Sequence, residues 1–538
     1  MNINCQKNRL VGVFVFFFFL FLLVVARLYL LQIMRHDFFV TLATQQYGIE
    51  VTMQPARGLI YDRTRKTPLV YNTEVSSVFM VPNQLEEGEK IKAWLGRKLP
   101  AVLQRVNDHP QAKFTWIERS VSPERLDELL NVGLKDLHFV TESQRYYVSP
   151  AMAPLIGFTN IDNIGIAGIE LVCQKRLGGK PATFKLDRDA RSKGFYFTKE
   201  MVQQGTAGKP VVLTIDAQLQ FLAYEELCQT VQEYGAKSGA VIIMNPDNGQ
   251  ILAMASCPIF DPNAAQINLD LTKNQPITEC YEFGSVMKTF TALGALEEGL
   301  VTNDEPIDCQ GKVCFLHGLR IENWKSTGVV PFIEVMKNSS NIGLAKVALR
   351  LGHKLHDHLG RVGFGKSTGL AFPGERSGFL NKPSKWSKFS PMVMSFGYEI
   401  SATVLQLAKA FSIISNGGFD IDPQLYLVPR PKKIKKSVRL YKPQSIAAVK
   451  EILEGIGAHY PVPGYTIMGK TGTARCVKEG KYSTTAHVYT FGGLVEAKDY
   501  RRVIVTFINE PTKAHLWASQ VAAPLFQRIA QKMVLSER

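Results

Sequence analysis

Gly239-Ala-Val-Ile-Ile-Met244, Asn245-Pro-Asp-Asn-Gly249 and Gln250-Ile-Leu-Ala-Met-Ala255 follow one another without a break, and this stretch decides the fold. Two short apolar runs around an Asn/Pro/Gly turn read as an antiparallel hairpin. Just upstream, Val211-Val-Leu-Thr-Ile215 reads as a short strand. Ala217 to Gly235 is helical, with Leu219, Leu222, Ala223 and Leu227 as its apolar positions. Helical patterns then dominate until a strand returns at Val503 to Ile508. Strands at both ends of a segment with helices between them predict an α+β fold whose ends pair in one sheet.

Three strings inside that segment carry chemistry: Ser285-Val-Met-Lys288, Ser339-Ser-Asn341 and Lys470-Thr-Gly-Thr473. Ser285 follows Gly284 and opens a helical run, so Lys288 is expected one turn above it on the same face. A serine hydroxyl needs a base to take its proton, and a lysine serves only when neutral. The positive end of a helix and a second nearby cation both push a lysine in that direction. Ser339 suits a proton relay, and the Asn341 amide can donate to a substrate carbonyl while accepting from a lysine. On a strand, Thr471 and Thr473 share one face, so two hydroxyls with the Lys470 charge suit a carboxylate. Gly472 leaves the backbone bare for an extended acyl chain, and the N–H groups of Ser285 and Thr473 are the expected oxyanion hole. Taken singly, each string has a plainer reading: a helix N-cap, a capped helix connection, or a lysine beside a strand turn. Their fixed order points to serine acyl transfer assisted by lysine.

The N-terminus sets the compartment. Leu10 to Ile33 is apolar except for Gly12, Arg27, Tyr29 and Gln32, a length that matches a membrane span of ~20 residues. Lys7 and Arg9 precede it and favour a cytoplasmic N-terminus. No small-residue cleavage site follows, which argues for a retained anchor rather than a signal peptide. The expected layout is a cytoplasmic tail (1–9), an anchor (10–33), a loop-rich module of short strands such as Ser76 to Val81 (36–205), and the catalytic segment (208–538).

The chain carries 63 Lys+Arg against 47 Asp+Glu, a net +16, which suits an anionic membrane face or an acidic polymer. No zinc-ligand spacing, helix-turn-helix or aromatic RNA-binding string is present, so neither nucleic acid, metal nor cofactor is expected. Eight cysteines are too few for a disulfide scaffold, although Cys309 and Cys314 are close enough in sequence to bridge a hairpin.

With these strings in place, the chain closely resembles a class B penicillin-binding protein over nearly all its length. Arg57-Gly-Leu-Ile-Tyr-Asp-Arg63 and Gly165-Ile-Ala-Gly168-Ile-Glu170 look like that family's pedestal motifs. Ser401-Ala-Thr403-Val-Leu-Gln406 and Ala522-Ala-Pro524-Leu-Phe526 look like its later landmarks. The resemblance implies a single-pass inner-membrane protein with a periplasmic pedestal of the dimerisation type and a penicillin-binding, β-lactamase-like transpeptidase domain. It also implies that Ser285 acylates on a peptidoglycan stem peptide, and that β-lactams imitate that substrate. Arg145-Tyr-Tyr147, Gly157-Phe-Thr-Asn160, Lys470 to Arg475 and Gly480-Lys-Tyr482 look more like the septal branch than the elongation branch. The septal resemblance implies a SEDS glycosyltransferase of the FtsW type and divisome membrane proteins as partners. A β-lactamase or β-lactam sensor, and a catalytically silent divisome scaffold, are the competing readings.

Two positions depart from the family pattern: Phe283 and Val404 stand where proline is usual. Neither is a reacting group, so the chemistry is expected to survive while β-lactam selectivity shifts. Cys476 lies near the third string without an assigned role.

Overall fold

The computed structural model describes residues 3–53, 55–112, 114–188, 195–428, 438–513 and 516–537. The chain makes two compact units interleaved in sequence: Met1–Pro55, Glu74–Ser143 and Gly179–Ala207 form the smaller, and Ala56–Thr73, Gln144–Gly178 and Gly208–Arg538 the larger. Segments 56–73 and 144–178, counted with the pedestal on sequence grounds, thus fold with the larger unit.

In the larger unit the elements that frame the site are, in chain order, α1 (Ala217–Glu233), β1 (Ser238–Met244), β2 (Ile251–Cys257), α2 (Lys288–Glu297), α3 (Phe332–Lys337), α4 (Asn341–Leu351), α5 (Val404–Ser415), β3 (Thr466–Lys478), β4 (Lys481–Ala497), β5 (Tyr500–Asn509) and α6 (Ala522–Ser536). The five strands form one antiparallel sheet in the order β2-β1-β5-β4-β3. The hairpin read from sequence is β1–β2, and its Asn/Pro/Gly turn is closed by the Gly249 N–H donating to the Asn245 carbonyl. The late strand, β5, returns to pair with β1, with Val505 opposite Ile242. The two ends of the segment therefore meet in one sheet, as an α+β pattern requires.

Both faces of this sheet are covered, which explains why β1 and β2 are continuous apolar runs rather than alternating ones. Val241, Ile243 and Ala255 pack with Leu219 and Leu227 of α1 and Phe526 and Ile529 of α6. Ala240, Ile242 and Met254 face the opposite way, toward Phe290 of α2 and Leu407 and Phe411 of α5. The Asp216 carboxylate caps α1 by accepting from the Gln218 and Leu219 N–H groups.

Helix α5 is buried at every residue and begins with a capping box: the Thr403 hydroxyl accepts from the Gln406 N–H, and the Gln406 side chain accepts from the Thr403 N–H. Val404 fills the first helical position, where proline would also fit, so its departure from the family pattern leaves the cap intact. Gln406 then uses its amide to donate to the carbonyls of Lys366 (2.8 Å) and Ser377 (2.7 Å).

The two pedestal motifs and Arg145 meet in a buried charge cluster inside the larger unit. Glu170 is fully buried and takes the Arg57 Nε at 2.6 Å on one oxygen and Arg145 at 2.7 Å on the other. Arg57 also donates to the Asn163 carbonyl (2.8 Å) and the Gln174 side chain (2.7 Å), while Arg145 reaches Asn72 at 3.0 Å. A carboxylate between two guanidiniums, each with further acceptors of its own, is the arrangement that makes buried charge tolerable.

In the smaller unit, helix Ile3–Tyr29 is apolar and exposed along the described part of its length; residues Lys7–Met34 are long and apolar enough to cross a membrane. Strand Gly48–Met53 pairs antiparallel with Ala182–Arg188, which pairs with Phe195–Gln203. A separate core joins Val78, Met80, Ile91, Leu95, Val102 and Ile117 with their neighbours. Cys309 and Cys314 are both free and sit in different apolar clusters, so the hairpin bridge that their spacing permits is not formed.

Candidate active site

Ser285 lies in the 3-10 turn Gly284–Met287, and the α-helix proper begins at Lys288. The sequence expectation of a helix opening at Ser285 is corrected by one turn, and the reason is steric. Gly284 takes φ +60°, and a Cβ there would stand 2.3 Å from the Thr473 carbonyl. Strand β3 crosses so close to the turn that a regular helical start does not fit. Gly472 meets the same turn from the other side: its absent Cβ would lie 2.3 Å from the Phe283 carbonyl. The glycine that leaves β3 bare is therefore also the one that lets the strand dock against the nucleophile turn. Phe283 is buried and sets its ring edge-on to Phe507, so the residue replacing proline serves as core.

Gly284→Ala is expected to lower β-lactam acylation on the order of 100-fold, the scale of an ångström-sized displacement of a reacting group. Stopped-flow acylation with a chromogenic cephalosporin measures this, and a rate equal to the wild type would show that the turn tolerates the shift.

Lys288 is fully buried at the start of α2, and its Nζ donates to the Ser339 carbonyl (2.6 Å) and Asn341 Oδ1 (2.6 Å) and lies 3.2 Å from Ser339 Oγ. Burial pushes its pKa well below the usual lysine range, and the nearby Lys470 charge pushes the same way. A neutral amine has two N–H groups and one lone pair. The two short contacts go to oxygens that only accept, which leaves the lone pair for a hydroxyl.

Ser339 holds φ +52°, an unfavourable backbone for a non-glycine residue that aims both its carbonyl and its hydroxyl at Lys288. Ser340 caps α4 by accepting the Gly343 N–H at 3.1 Å, and donates to Asn323 at 3.1 Å. Asn341 accepts from Lys288 as expected, while its Nδ2 already donates to the Glu322 carbonyl at 2.8 Å. One of the two amide hydrogens expected to serve a substrate carbonyl is thus committed to the fold.

Among the described residues, strand β3 is the edge of the five-stranded sheet and pairs there only with β4. Lys470 is buried, and its Nζ donates to the Thr471 carbonyl (3.2 Å) and hydroxyl (3.4 Å). Burial lowers its pKa to about 8. The Lys470 charge and the Thr471 hydroxyl are therefore together, whereas the half-buried Thr473 accepts the Ala518 N–H at 3.3 Å. Cys476 is half-buried and burial lifts its thiol to about 11, so it stays protonated near neutral pH.

Sequence reasoning passed over Glu282. Its carboxylate accepts the Glu399 N–H at 2.9 Å and the Tyr482 hydroxyl at 3.2 Å, tying the nucleophile turn to the 399 loop and the β4 end. Burial raises its pKa. The signal was an acid three residues before Ser285, between Glu279 and Lys288, legible only once its partners are known.

The three strings therefore converge: Lys288 touches Ser339 and Asn341, the Lys470 charge acts on Lys288, and β3 lies on the Ser285 turn. Comparison with known proteins agrees with that convergence. Residues 239–531 match the penicillin binding protein transpeptidase domain, and residues 52–213 the penicillin-binding protein dimerisation domain. A probable peptidoglycan D,D-transpeptidase, PbpC, of Pseudomonas aeruginosa is 32% identical over 94% of this chain and 91% of its own length. The peptidoglycan D,D-transpeptidase FtsI of Escherichia coli is 29% identical over 94% of this chain and 88% of its own. Penicillin binding protein 3 of Mycobacterium tuberculosis, solved with aztreonam, shares the fold with a TM-score of 0.69 over 90% of this chain and 97% of that one, at 23% identity. The chain belongs to the class B penicillin-binding proteins, the serine-type peptidoglycan D,D-transpeptidases.

Proposed function

We propose that Ser285 is the nucleophile of a transpeptidase that crosslinks stem peptides in septal wall synthesis. The observation that carries the catalytic part is Lys288: fully buried, its pKa driven well down, and fixed by Ser339 and Asn341 three residues on from Ser285. Lys288 takes the Ser285 proton as Oγ bonds to the penultimate D-Ala carbonyl. The Ser285 and Thr473 N–H groups hold the oxyanion. The C–N bond breaks, and Ser339 passes the proton to the departing D-Ala amine. Attack by a neighbouring stem's amine on the ester then forms the crosslink and restores Ser285. Lys470, Thr471 and Thr473 hold the substrate carboxylate along β3, with Gly472 admitting the acyl chain. A β-lactam follows the first half and stays on Ser285, because nothing in this scheme places a water for hydrolysis. Slow release of bound penicillin is the expected result, and rapid turnover would favour a β-lactamase.

Two lysines acting in opposite protonation states give a bell-shaped pH profile. Lys288 works neutral, so acylation rises with pH through its lowered pKa and is flat above it. Lys470 works charged, so carboxylate binding is lost as pH rises through about 8. Lys470→Arg is expected to abolish the falling limb, since a guanidinium stays charged there. Measured acylation rates between these limits check it, and a falling limb unchanged in the variant would sink the assignment.

The septal role draws support from the FtsI relatives among the matches. Residues 10–33 anchor the chain in the inner membrane with residues 1–9 in the cytoplasm, leaving the pedestal and catalytic domains in the periplasm. A SEDS glycosyltransferase and divisome membrane proteins are the partners of this arrangement. Depletion of the protein is expected to give filaments; round cells would move it to the elongation branch.

A further inference from the structure

Cys228 and Cys257 lie 29 positions apart in sequence but meet across the back of the sheet, away from the strings that carry catalysis. Cys228 is on α1 and half-buried; Cys257 closes the edge strand β2 and is buried. Both are free thiols, and α1 runs alongside β2, with the Asp216 N–H donating to the Leu252 carbonyl and the Gln220 side chain bonding both the N–H and the carbonyl of Met254, a register that brings Cys228 level with Cys257. The close approach has a separate structural cause. Gly239 of β1 stands directly opposite Cys257, and a Cβ on Gly239 would meet Leu227 Cδ1 at 2.7 Å. The bare glycine lets α1 descend onto the sheet at the residue next to Cys228. Both cysteines belong to the apolar cluster shared by α1, α6 and the sheet.

We propose that Cys228 and Cys257 form an intramolecular disulfide that staples α1 to the edge strand β2, with a thiol–disulfide donor as oxidant. Disulfides persist in oxidising compartments, and the proposed periplasmic placement of this unit supplies one. The Cys228 thiolate attacks the donor disulfide, forms a mixed disulfide and releases one donor thiolate. Cys257 loses its proton and attacks the Cys228 sulfur, displacing the second donor thiolate. Two protein thiols become one S–S bond, and the donor is reduced to two thiols.

The order of attack follows from the surroundings. The neighbouring Cys257 thiol, and then the Tyr224 hydroxyl one turn earlier on α1, hold the Cys228 pKa below the ordinary thiol value. Cys257 is pushed up by its Cys228 neighbour and by burial. Cys228 is also the less buried of the two, so it meets the donor first.

The test uses the full-length protein in detergent, prepared with reductant and then equilibrated with oxidised glutathione. Remaining thiols are blocked with N-ethylmaleimide after denaturation, and unreduced peptides are mapped by mass spectrometry. The expected result is a linked pair of peptides carrying Cys228 and Cys257, absent in Cys228→Ser, and a higher melting temperature in the oxidised wild type than in the reduced protein. The same shift is expected to vanish in Cys228→Ser, while penicillin acylation is unchanged; loss of acylation in the wild type would instead count against the proposed catalytic site. Both cysteines recovered as maleimide adducts after glutathione treatment, or either one linked to a different cysteine, would overturn the staple.

Discussion

Ser285→Ala is expected to remove the fluorescent-penicillin band from membranes carrying this protein, and to reduce crosslinking on the order of 10⁶-fold, the scale seen when a serine hydrolase loses its nucleophile. Lys288→Arg is expected to cost acylation about 10³-fold, because a guanidinium keeps its proton at every working pH and removes only the base. The pair of variants separates two roles that a single knockout merges. The buried amine bonded to Ser339 and Asn341 is replaced by a larger cation that still answers those acceptors, so the site keeps its donors while losing its lone pair. A fluorescent-penicillin gel and stopped-flow acylation read both. A band persisting in Ser285→Ala would place the nucleophile elsewhere, and normal acylation in Lys288→Arg would remove the lysine as base.

Glu170→Ala is expected to destabilise the larger unit by about 3–5 kcal/mol, the usual result of deleting one partner from a buried ion pair. Here two guanidiniums, on Arg57 and Arg145, lose their shared counter-charge in a place where neither is accessible to water. Glu170→Gln keeps the shape but not the charge, so it should restore little of that loss. Urea unfolding followed by fluorescence measures both variants. Wild-type stability in Glu170→Ala would mean that the arginines find other partners. Folded protein from either variant should still bind penicillin, since the cluster is not among the groups placed at Ser285.

The sheet and the site differ in how legible they were. The β1–β2 hairpin could be read because its apolar runs and its turn are contiguous, and the return of β5 followed from the strand pattern. The two units are not contiguous in sequence: segments 56–73 and 144–178 tie to one another through Arg57, Asn72, Arg145 and Glu170, residues up to 113 positions apart, and to the rest of the larger unit through the pairing of Ile60 and Tyr61 with Val211 and Val212. Nothing local to any one of them announces that contact. Ser285, Lys288, Ser339, Asn341 and Lys470 were legible as residue types in order. The extra turn of 3-10 helix at Ser285 was not, because it is imposed by β3 crossing from nearly 190 positions later. Glu282 was missed for the same reason, its partners being Glu399 and Tyr482.

The sequence alone determined the chemical class: a serine, three lysine-bearing or hydroxyl-bearing strings in order, an apolar N-terminal helix and a hairpin that begins a sheet. Spacing and residue type are local properties, and a chain displays them before it folds. Only the tertiary structure decided that the Lys288 pKa is driven down, since it is set by burial and by the charge of Lys470, 182 positions away. It alone bent Ser339 into a left-handed backbone, brought Gly472 against the nucleophile turn, and set Cys228 level with Cys257. Desolvation, Coulomb interaction and close packing act through space, so they depend on which distant segments fold together.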